Sequence, residues 1–199
     1  VFRSIALGMF LMAFFTVGWA LGAAIPWAPW GWILAAVAAV IAVFLVVDGI
    51  WLFVWASRIP GVRTDADRAT GKRMGVAFGI VFGVEAALIA AASGILASLD
   101  LDDLIPVVIA LIVAVHFYPM AWIFRRTIDY WFATFLTVVA VVGLIVMVAN
   151  PGSAPLVTGL VACAAAATTA GYGLFMAREH RRLRTTGRSR PAATSTPPQ

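Results

Sequence analysis

Residues Trp32–Ala56 read WILAAVAAVIAVFLVVDGIWLFVWA, twenty-five residues with one ionisable group, Asp48. A helix crossing the hydrocarbon core of a bilayer needs about 20 apolar residues, so this block is long enough to span it. Five more blocks of the same kind lie around it: Ser4–Ala24, Gly75–Ser98, Leu104–Phe124, Ile128–Ala149 and Ala154–Ala177. The breaks between them carry turn chemistry. Pro26 and Pro29 part the first pair, Asp100, Asp102 and Asp103 the third from the fourth, and Asn150-Pro151-Gly152 the last pair. Pro106 falls in the first turn of the fourth block, where its missing N–H leaves no bond unmade.

This pattern predicts an all-α fold, a polytopic transmembrane bundle of six helices over residues 1–177. A basic, disordered cytoplasmic tail is expected over 178–199, because the chain from Thr185 is rich in Ser, Thr, Pro and Arg. The first block follows Arg3 and ends Ala20-Leu21-Gly22-Ala23-Ala24, which has the outline of a signal peptide. It is longer than the usual apolar run of about 7–15 residues, so it is expected to be a retained helix. Cleavage would leave five spans with the C-terminal side unchanged.

Composition agrees with lipid as the solvent. The chain is 63% hydrophobic and 12% charged, against about 45–50% and 25% for soluble domains. The net charge of +5 does not point to nucleic acid, because the basic residues flank apolar blocks rather than forming a groove. They read instead as topology signals and contacts to anionic lipid head groups. Arg3, the loop with Arg58, Arg63, Arg68, Lys72 and Arg73, the pair Arg125-Arg126, and Arg178, Arg181, Arg182, Arg184, Arg188 and Arg190 all fall on one side of a six-span chain. By the positive-inside rule that side is cytoplasmic, with both termini there and the protein in the cell's inner (plasma) membrane. Trp27, Trp30 and Trp32 mark the outer interface; Trp51, Trp55, Trp122, Tyr130 and Trp131 lie toward the inner one.

Three spans carry an ionisable residue: Asp48, Glu85 and His116. A charge at a helix centre costs about 2.5–3.5 kcal/mol on insertion scales. At about 1.5 Å per residue, Asp48 lies ~13 Å from the cytoplasmic end of its span, Glu85 ~15 Å and His116 ~12 Å. The common depth predicts mutual contact, with Thr137 and the pair Thr168-Thr169 as supporting groups at a similar level. Pro119 removes the hydrogen bond to the Val115 carbonyl and is expected to bend the fourth helix beside His116. The result would be a small polar cavity binding a substrate or ion.

Gly75, Gly79 and Gly83 form a small-xxx-small stripe that lets helices approach closely, and Gly159 and Gly171 belong to a similar stripe on the sixth helix. Glu85 lies ~200° around the third helix from Gly83. Both faces would seek protein, which predicts that the third helix is central.

Several chemistries are excluded. One cysteine, Cys163, rules out an intrachain disulfide and any multi-cysteine metal site. Haem lacks a second axial histidine in the spans, since His180 falls in the expected tail. Ser93 lies ~27 Å from the cytoplasmic side, too far from His116 for a dyad. No catalytic residues, cofactor or metal are expected, and the chain is not read as an enzyme.

The run His116-Phe117-Tyr118-Pro119-Met120-Ala121-Trp122-Ile123-Phe124, with Tyr130 and Thr134 beyond it, resembles a His-Phe-x-Pro-x-Ala-x-x-Phe pattern of small bacterial multi-pass membrane proteins. The resemblance covers one helix and its neighbour and implies a bacterial membrane protein; it implies no activity. The polar layer points to a small proton- or cation-linked, transporter-like protein. The alternative is a non-transporting scaffold, sensor or accessory subunit in which the layer only clamps helices. A homo-oligomer and a separate protein partner both stay open.

Overall fold

The computed structural model describes residues 2–58 and 65–188, the side chains of residues 2, 3, 66, 67 and 183–188 apart. The chain is all-α. Its six helices are α1 (Phe2–Ala24), α2 (Trp30–Ser57), α3 (Asp65–Ser98), α4 (Ile105–Phe124), α5 (Thr127–Ala149) and α6 (Ala154–Arg188). All six are long and apolar enough to cross a membrane. A single 3-10 turn precedes α4 (Asp102–Leu104) and another precedes α6 (Pro151–Ser153). The turn from α4 to α5 is the tightest. Arg125 caps α4 in the left-handed region at φ 53°, and the Arg126 N–H returns to the Ala121 carbonyl at 3.2 Å.

Two helices outrun the sequence reading. α3 starts ten residues before the expected Gly75, at Asp65, whose carboxylate complements the positive helix start. α6 continues through residues 178–188, where disorder was expected. Arg178-Glu179-His180-Arg181-Arg182-Leu183-Arg184 combines good helix formers with no proline, so polarity alone does not end the helix. The remainder of the expected tail, 189–199, lies outside the described residues.

Successive helices run antiparallel, as the side-chain contacts show. Gly8 of α1 meets Met176 near the end of α6, and Gly49 near the end of α2 meets Phe10. At the same end Phe78 of α3 faces Phe124 of α4 at 6.4 Å, and Arg126 reaches Tyr172 of α6. Arg58, Arg68, Lys72, Arg73, Arg125, Arg126, Arg178, Arg181 and Arg182 sit on segments gathered there, whereas Asp100, Asp102 and Asp103 lie at the other end.

α6 is the hub. It packs on α1, α2, α4 and α5, while α1 also lies along α2 and α4 along α5. One core cluster joins Ile5, Met9, Leu45, Leu52, Tyr172 and Met176; another joins Val107, Ala140, Met147, Val157 and Val161. Small residues set the spacing. A Cβ added to Gly31 would stand 2.6 Å from the Ala23 carbonyl oxygen, and one added to Gly159 would overlap the Trp27 indole. Apolar burial gives helices little reason to associate in lipid, so such close van der Waals contact is what joins them.

The expectation of a central third helix is overturned. Within its most apolar part α3 is 6% buried, against 56% for α6, and it packs chiefly on α4. Gly75, Gly79 and Gly83 have nothing within 4 Å of an added Cβ, so the stripe does not pack within this chain. An adjoining face holds α3 in place through Phe78, Phe82 and Glu85. Gly171 makes only ordinary contact with Phe132, at 3.5 Å.

Candidate functional site

The expected three-way cluster is divided into two histidine–carboxylate pairs. In the first, His116 Nδ1 of α4 lies 3.1 Å from Glu85 Oε1 of α3. In the second, Asp48 of α2 turns away from both and meets α6. His180 Nε2 lies 2.6 Å from Asp48 Oδ2, and Arg181 Nη2 donates to Asp48 Oδ1 at 3.0 Å. An ionised carboxylate can only accept, which places the His180 proton on Nε2.

Asp48 was read with Glu85 and His116 because its depth matched theirs. The sixth span was expected to end at Ala177, which left His180 and Arg181 outside the bundle. Because the helix runs on, a histidine and an arginine come level with Asp48. His180 was assigned to the tail, yet it is fully buried. The sequence did carry a signal for it. Ala165, Thr169, Tyr172, Met176 and His180 follow one another at steps of four, three, four and four, and all are buried. His180 thus continues the core-facing stripe of an amphipathic helix.

The Glu85–His116 pair lies at the edge of the bundle. Glu85 is 6% exposed. Its Oε2 is buried without a hydrogen-bond partner, and the His116 Nδ1 approach is not aligned as a hydrogen bond either. Beside Glu85 is a cavity of about 280 Å³ between α1, α3 and α4, walled by Phe15, Trp19, Phe82, Ile89, Ile109 and Val113. Phe82 meets His116 edge-on at 5.7 Å and Phe15 at 6.5 Å, and His116 stacks on Phe117 at 4.5 Å. The chemical character is that of a carboxylate in an aromatic, apolar enclosure with one imidazole in reach. Among the described residues, no third histidine, cysteine, aspartate or glutamate joins either pair.

The supporting residues serve elsewhere. Thr168 bonds back to the Ala164 carbonyl at 2.8 Å and Thr169 to that of Ala165 at 3.0 Å. Thr169 also lies 3.0 Å from the hydroxyl of Thr16 on α1, a contact the sequence reading missed. Thr137 Oγ1 is buried without a hydrogen-bond partner. Pro119 lies within α4 and does not end it.

A second missed residue is Asp129, in the first turn of α5 and fully buried. It faces the charge of Arg126, which donates to the Tyr172 hydroxyl at 3.3 Å. From sequence an acidic residue in a first helical turn reads as a dipole complement, which hides its burial.

The arginines at the end of α6 line a larger, open cleft of about 470 Å³, in which Arg178, Arg181 and Arg182 meet Phe44, Leu174 and Ala177. The Arg181 guanidinium stands 5.4 Å over the Phe44 ring while holding Asp48. No family model matches this chain, and it has no significant match among curated proteins or solved structures.

Proposed function

We propose that this chain is a small transporter-like membrane protein that binds a proton or cation at Glu85 and His116. The observation that carries the reading is the buried, unpartnered Oε2 of Glu85, a residue that borders a cavity. A carboxylate is costly inside a membrane, and one kept only to hold helices together would have both oxygens engaged, as Asp48 has. The His116 imidazole, 3.1 Å away, is a second group that can carry a proton.

The basic end of the bundle faces the cytoplasm in this reading, and the membrane is the inner (plasma) membrane of a bacterium. The arginine-lined cleft at the end of α6 suits anionic lipid head groups, with Phe44 and Leu174 against the acyl region. In proteoliposomes loaded with a pH-sensitive dye, the wild type carries a proton- or cation-dependent flux that Glu85→Gln and His116→Ala abolish. Equal flux through either variant refutes the assignment.

A scaffold or accessory role is the second reading, favoured by the Asp48–His180–Arg181 contact, which ties α2 to α6 and engages both oxygens of the carboxylate. Under it no flux accompanies the wild type at all.

A further inference from the structure

We propose that the Glu85 cavity takes a hydrophobic organic cation, with the ammonium centre on Glu85 and the apolar part among Phe15, Trp19 and Phe82. This rests on the assignment of Glu85 and His116 as the functional pair and names the class of ligand.

The chemistry of the walls selects it. A hard inorganic cation needs several oxygen ligands, and this cavity supplies one carboxylate. A neutral ligand leaves the Glu85 carboxylate without a counter-charge, and an anion is repelled. A quaternary or tertiary ammonium meets every surface present: its charge pairs with a desolvated carboxylate, and its alkyl shell lies against aromatic faces that attract cations. The volume of about 280 Å³ is that of a small organic ion. Gly18 and Ala86, both exposed, form part of the rim, so the cavity is reached from the side of the bundle. A ligand dissolved in the apolar phase enters there directly.

Among the described residues facing Glu85, α4 presents the His116 imidazole, and α1 presents Phe15, Gly18 and Trp19, none of these three charged.

The test uses the full chain in phosphatidylcholine nanodiscs with radiolabelled benzyltrimethylammonium as the probe and neopentylbenzene as its neutral isostere. The wild type is expected to bind the cation saturably, and Glu85→Gln to weaken that binding at least tenfold. Gly18→Leu fills the cavity without touching the ion pair and also abolishes binding, so it decides the matter if Glu85→Gln does not fold. Absence of saturable binding by the wild type overturns the proposal, as does equal affinity of Glu85→Gln or equal binding of the neutral isostere. Proton flux that depends on Glu85 without cation binding would remove this proposal and leave the proton reading standing.

Discussion

The two histidine–carboxylate pairs use the same residue types at opposite levels of commitment. Asp48 has both oxygens engaged, by His180 and Arg181, and lies where α2 meets the helix that holds the bundle together. Glu85 has one oxygen near His116 and one without a partner, on a helix attached chiefly to α4. A buried charge that is fully partnered holds a structure; one that is half partnered beside a cavity is poised for something that arrives. The molecule thus divides into a tightly packed part around α6 and a looser edge at α3.

Thermal unfolding in detergent can break or sharpen this contrast. The largest effect is expected from Asp48→Leu, which leaves His180 buried without its carboxylate. Breaking a buried pair in this way costs about 3–5 kcal/mol, and a shift no larger than that of a surface variant would show that the pair holds nothing. Next comes Gly173→Ala, whose added methyl overlaps Leu45 in the packed part. Overpacking of this kind costs about 1–3 kcal/mol. Glu85→Gln should follow with less than about 1 kcal/mol, since polar contacts between membrane helices average about 0.6 kcal/mol. A loss as large as that of Asp48→Leu would make Glu85 a clamp too. Smallest is Gly79→Ala, into open space on α3. The monomer should be unchanged or gain a few tenths of a kcal/mol in helix propensity, within about 1 kcal/mol.

The six spans were legible because hydropathy over twenty residues is a local property that packing does not alter. The neighbours of each helix were not. In a soluble protein an apolar face marks the core, but in lipid Val76, Ile80 and Val84 of α3 look the same whether they meet acyl chains or protein. All three are exposed, and the glycines between them gave the opposite impression. Glu85 and His116 came together because their helices are adjacent and their depths agree. Depth was not enough for Asp48, whose level is shared by two sites around the bundle. Only the run of buried positions ending in His180 could have separated them. Asp129 gave no signal, because one turn of helix decides whether a terminal carboxylate meets water or the Tyr172 hydroxyl.

The position of α6 bears on assembly in the cell. Helices enter the bilayer in the order of synthesis, and each then finds its neighbours within the lipid. α1 and α2 can pair as soon as both are inserted, and α4 and α5 likewise, but the seam between these hairpins is made by α6, the last of the six to emerge. Until then Asp48 is in lipid with no counter-ion. The arrival of His180 and Arg181 therefore works as a closing latch, and a chain interrupted before residue 154 would keep that acid unshielded.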